Sequence, residues 1–284
     1  VGFFLVMKAE LVRGWIVARR YWFRTLVSMA IGYGMLMVLV VGIATGGMSE
    51  QLSGKFVDPE GATNFVLGFI IGLFAFGVVG MYTQGLQGLA RSGVLEQLCL
   101  SPHGLITNFM ARTFVSAVTT VITSSILVYM VSTSVFFIEN REMGNALHFD
   151  FVAVPVLLWM TFLNLLGFGL MVGGLVLVFK QVGELAVIVR MALFGLAVFA
   201  KEELVAVGGV FAFIMHILPV TDAAICLKYV LIKGQMTDGH FQSVFTHSSF
   251  FWLLVNVVLW NSLGVATFKL MENHSRRKGT LGAY

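Results

Sequence analysis

The sequence predicts an all-α integral membrane protein with six transmembrane helices and both ends on one side of the bilayer. Three observations predict it. The 284 residues are 58% hydrophobic and only 11% charged, where a soluble domain carries about a quarter charged residues. Mean hydropathy is +0.92. Apolar runs of the roughly 20 residues needed to cross a bilayer recur over about 25–46, 63–86, 109–137, 151–179, 183–200 and 250–270.

The first element is an N-terminal arm, residues 1–24. Wound at about 100° per residue, Met7, Leu11, Trp15, Ala18 and Trp22 share one face, with Arg13, Arg20 and Arg24 opposite. Trp15, Tyr21 and Trp22 are rings that seek the membrane interface. The arm therefore reads as an amphipathic helix lying on the inner leaflet, with Arg19 and Arg20 favouring anionic lipid. Small-residue cleavage chemistry is absent after Val1–Met7, so this stretch does not read as a signal peptide.

Within the six runs, Gly42/Gly46, Gly68/Gly72 and Gly169/Gly173 have the four-residue spacing that lets helices approach closely. Either packing inside the chain or a dimer seam accounts for them. Phe65, Phe69 and Phe76 in the second run and Phe194 in the fifth are candidates to line a hydrophobic pathway. Between the second and third runs lies a polar island, Arg91–His103, reading RSGVLEQLCLSPH. Gly93 opens it, Leu95, Leu98 and Leu100 recur at helical spacing with Glu96 and Gln97 between them, and Pro102 stops it. A short surface helix is expected there. The apolar stretch 204–217 is too short to span and fits a re-entrant segment. Leu218-Pro219 then leads into an amphipathic piece, Thr221–Lys233.

Orientation follows from Lys and Arg. With the N-terminus inside, 13 of the 18 basic residues fall on the cytoplasmic side and 5 outside (Lys55, Arg141, Lys201, Lys228, Lys233). Asp222 and nine other acids fall outside as well. The two cysteines, Cys99 and Cys226, land on opposite sides and cannot pair.

Resident chemistry is not expected. The six histidines lack metal-ligand spacing, and His240 with His247 in one outer loop makes a weak case. Gly54-Lys55 is followed by Phe56, where a phosphate loop needs Ser or Thr. The net charge of +4 does not point to nucleic acid. Charges within the runs are few: Glu184, Arg190 and Arg112 are all placed to snorkel to the cytoplasmic interface. An ion-driven carrier needs acids near mid-membrane, so the driving force is expected from another chain.

The residues Gly93-Val94-Leu95-Glu96-Gln97-Leu98, followed by Leu100-Ser101-Pro102, resemble the GTLEQLxx[ST]P signature of ATP-binding-cassette exporter permeases of the type-2 membrane family. Val94 replaces the usual Thr. The resemblance extends over the chain: an amphipathic elbow helix at 1–24, a six-span domain at 25–270, an outer hairpin at 204–233 and a cytoplasmic tail at 271–284. Leu218-Pro219 is similar to the family's LNPxTY region, without its Asn and Tyr. The resemblance implies a permease subunit in a bacterial or archaeal inner membrane. It would pair with a second permease subunit, identical or different, and with two copies of an ATPase subunit that binds ATP and Mg. The segment 91–102 would be the coupling helix, with Arg91, Gly93, Leu95, Glu96, Gln97, Leu98 and Pro102 facing the ATPase. Leu218 and Pro219 would lie at an outer gate, and the cargo would be an apolar or amphipathic drug, natural product or lipid-like molecule. Two other classes compete: a gradient-driven carrier or channel, and a membrane partner of an ATPase that senses rather than transports.

Overall fold

The computed structural model describes residues 2–44, 59–94, 97–98, 104–139, 149–178, 182–232, 244–245 and 247–278. Among them every regular element is a helix: α1 Gly2–Arg20, α2 Trp22–Ala44, α3 Pro59–Arg91, α4 Gly104–Glu139, α5 Ala153–Val178, α6 Val182–Phe199, α7 Glu202–Ala206, α8 Gly209–Ile217, α9 Thr221–Ile232 and α10 Ser248–Lys278. Four carry stretches long and apolar enough to cross a membrane: Asn64–Leu89, Leu105–Ser134, Ala153–Val176 and Ser248–Ser275. α8 and α9 together form a fifth such stretch, bent by 85°. The first and fifth predicted runs appear as shorter apolar helices, Trp22–Val38 and Ala186–Phe199.

The arm differs from expectation at its end. The helix breaks at Tyr21 rather than after Arg24, and Trp22 opens α2. The break is a bend with hydrogen bonds continuing across it, Tyr21 N to Val17 O at 2.9 Å and Thr25 N to Tyr21 O at 3.2 Å. α1 packs on α4, and Gly14 is where they meet, because a Cβ there would strike Val115. That contact turns Met7 and Glu10 partly inward and leaves Leu11, Trp15 and Trp22 exposed.

α5 and α10 form the most extensive helix pair. Gly167 and Gly264 face each other there, each with no room for a Cβ against the other helix's backbone. α3 lies in a second layer between α5 and α6. Gly68 and Gly72 press on Val198 and Phe194 of α6, while Gly169 and Gly173 press on Tyr82 and Leu86 of α3. Both glycine pairs therefore pack helices within the chain. Gly42 meets nothing within 4 Å, and Gly46 lies outside the described residues. α10 continues to Lys278, so the predicted tail begins as helix, with Glu272 and Ser275 buried.

The bundle has two distinct ends. Gly68 and Leu89 of α3 lie about 30 Å apart at roughly 1.5 Å per residue. Gly68 is beside the end of α6, where α9 packs. Leu89 is beside the arm and the start of α4. Phe109 of α4 stacks on Phe268 at 6.3 Å, so the last turns of α10 reach the arm end too.

Candidate functional site

The densest polar constellation surrounds the break between α8 and α9. Pro219 has no N–H, and Leu218 before it is extended (φ −66, ψ 132), as a residue preceding proline must be. The break frees backbone carbonyls that helix would otherwise occupy, and an apolar environment offers them no water. Side chains from two other helices take them over. Asn256 of α10 donates to His216 O at 2.5 Å, Trp260 of α10 to Ile217 O at 2.9 Å, and Asn164 of α5 to Pro219 O at 2.5 Å. Within the break, His216 Nδ1 and Asp222 Oδ1 lie 2.8 Å apart. The His216 ring stacks on Trp252 with centroids at 4.8 Å. Leu218 and Pro219, the predicted gate residues, thus sit at a clamped helix break.

Asp222 and Lys228, expected on the outer side, are 1% and 4% exposed, and two expectations about this part of the chain need correction. The piece beginning at Thr221 was expected to be amphipathic, yet α9 is buried from Thr221 to Leu231 at all but Tyr229. Burial is possible because the charges find partners inside the protein. Lys228 Nζ donates to the carbonyls of Ala197, Val198 and Ala200 at 3.1, 3.0 and 2.7 Å. Those are carbonyls at the C-terminal end of α6, where a cation complements the helix dipole. Arg190, expected to snorkel, instead turns inward. Its Nε donates to Phe76 O at 2.9 Å, and its guanidinium lies 3.6 Å from the Phe76 ring centroid. Gly80 leaves it room, since a Cβ there would meet the guanidinium at 2.6 Å. Glu184 and Arg112 are exposed.

At the opposite end, α3 stops at Arg91 and the chain turns through Ser92 and Gly93. Gly93 has φ 70, a left-handed conformation that glycine adopts without penalty and that ends helices. Val94 and Leu98 pack against the core while Gln97 is exposed. Leu95, Glu96 and Pro102 lie outside the described residues, as does the Arg91 side chain. A cleft of about 290 Å³ opens between the arm, this turn and α4, lined by Glu10, Arg13, Ser92, Val94, Leu98 and Arg112 among others. Glu10 and Arg13 pair across its rim at 3.2 Å. Arg19 and Arg20 are exposed near the end of the arm.

The predicted pathway residues divide. Phe65 and Phe69 lie 6.5 Å apart on α3, and Phe69 meets Phe194 of α6 edge-on at 5.0 Å, all at one half-buried seam. Phe76 belongs instead with Arg190. The residues that hold the break, Asn164, Asn256 and Trp260, were not singled out from the sequence. Their signal was available: an amide inside an apolar run is expensive unless it has a partner. Serines and threonines of α4 bond back to their own helix, as Ser134 does to Met130 O at 2.8 Å. No cluster of three His, Cys, Asp or Glu able to hold a metal occurs among the described residues.

No protein-family model, curated protein or solved structure matches the chain at a significant level.

Proposed function

We propose that the chain is the membrane subunit of an ATP-driven exporter, with six spans, both termini in the cytoplasm, and ATP hydrolysed by a separate subunit. One observation supports this reading above the others. The GVLEQL segment begins at a glycine-stopped helix end, beside the arm, about 30 Å along α3 from the bent α8–α9 pair. A short element seated on the core by Val94 and Leu98 is suited to receive a push from a soluble partner. A clamped helix break at the far end is suited to open in response. Glu96 would meet a basic group on the ATPase, and the Phe65–Phe69–Phe194 seam would face an apolar or amphipathic cargo.

The gradient-driven carrier keeps second place because of the His216–Asp222 pair, a buried ionisable site of the kind such carriers use. The test is purification from native membranes followed by reconstitution. The exporter reading expects an ATPase to co-purify, transport to require ATP, and transport to survive collapse of ion gradients. Glu96→Ala and Leu98→Asp should then leave insertion and hydrolysis intact while transport falls at least tenfold. Transport by the chain alone, abolished when ion gradients collapse, would establish the carrier instead.

A further inference from the structure

Four side-chain oxygens around the α8–α9 break are buried and have no hydrogen-bond partner: Asp222 Oδ2, Thr221 Oγ1, Asn164 Oδ1 and Asn256 Oδ1. Their residues are 1%, 1%, 0% and 1% exposed. All four belong to the break or to the amides bonded to it. Asn164 and Asn256 each spend their N–H on a break carbonyl, Pro219 or His216, and so leave an acceptor behind. The Ser249 hydroxyl, buried at 3% on α10, hydrogen-bonds to the Asp222 carboxylate, and Oδ2 still has no partner of its own. Buried acceptors without donors are costly.

From this constellation we infer that the helix break binds a sodium-sized monovalent cation, held by Asp222, Thr221, Asn164 and Asn256. The donor set is the reason. It consists of hard oxygens from a carboxylate, a hydroxyl and two amides, which suit a hard cation rather than a soft metal. A single carboxylate matches a single positive charge. A cation satisfies several acceptors at once, whereas the amide oxygens have no proton of their own to offer each other. Discontinuous helices with freed polar groups hold ions in this way in other membrane proteins. Lys228 does not compete, because its ammonium is occupied by the three carbonyls at the end of α6. The site stabilises the bent pair whichever energy source drives transport, so it rests on neither functional reading.

The test uses the full chain in detergent or nanodiscs. Its thermal midpoint is followed as sodium chloride replaces choline chloride at constant ionic strength, with potassium chloride as a size control, and saturable binding of radioactive sodium is measured alongside. The expected result is a saturable rise of several degrees with sodium, a smaller one with potassium, and loss of the rise in Asp222→Asn and Asn164→Leu. If either variant fails to fold, the wild-type binding isotherm still decides. No sodium-specific shift and no saturable binding would overturn the site. So would a midpoint that follows pH alone, or a sodium response that persists in folded Asp222→Asn.

Discussion

The two ends of this bundle solve different problems with different residues. At the arm end, the chain turns on local features: a glycine with φ 70 after α3, a tight Gly14–Val115 contact and an exposed ion pair. At the other end, a helix break is held from a distance, by Asn164, Asn256 and Trp260 from helices 40 or more residues away in sequence. Stability is lodged at the clamped break, and on the proposed function a partner would act at the other end. A clamped break loses fold energy when a clamp is removed, whereas a solvent-facing turn loses its shape and little else.

The largest effect is expected at Lys228. Lys228→Met strips three α6 carbonyls of their shared donor, at a cost of about 2–3 kcal/mol. The expected outcome is a lowered thermal midpoint and a reduced folded yield on size exclusion. A folded variant of unchanged midpoint would show that the α6 carbonyls need no cation, and the contrast between the ends would weaken. Asn164→Leu and Asn256→Leu each orphan one carbonyl, at about 1 kcal/mol apiece given the modest value of side-chain bonds in membrane proteins. Because both clamp the same break, the double variant should cost more than the sum of the singles or less, rather than simply adding. The smallest effect on the bundle is expected at the arm. Trp15→Glu should change bundle stability by less than about 0.5 kcal/mol, since the ring is exposed. It should instead raise labelling of single cysteines at 11–22 by an aqueous reagent. Labelling that stays at wild-type level would mean that the arm's Trp face does not seat in lipid.

How far the sequence carries depends on the same contrast. Apolar runs and the arm are local patterns, so composition and helical spacing reveal them, whereas Gly93, expected to open a surface helix, also ends α3. The helix boundaries of α3 and α4 run a few residues beyond the apolar runs, because polar turns extend each helix, while α5 lies just inside its run. The inward turn of Arg190 was hidden, since it depends on Phe76 and Gly80 of another helix. The burial of Asp222 and Lys228 was hidden for the same reason. A charge in a short apolar segment reads as aqueous until a partner is known, and their partners lie at His216 and at the end of α6. The Gly167–Gly264 contact could not be paired from sequence either, because it joins two helices rather than one repeat.

The most direct measurement compares Gly93→Ala with Asn256→Leu in the same reconstituted preparation, following thermal midpoint and transport per ATP hydrolysed. Alanine disfavours φ 70, and an exposed turn with open space around Gly93 can relax from it at little cost to the bundle while reshaping the turn that carries the GVLEQL segment. A crossed result is expected. Gly93→Ala keeps a midpoint within a degree or two of wild type and loses coupling, while Asn256→Leu loses midpoint and keeps its coupling ratio in the fraction that stays folded. Coupling untouched by Gly93→Ala, or an Asn256→Leu midpoint equal to wild type, would contradict the division of labour between the two ends.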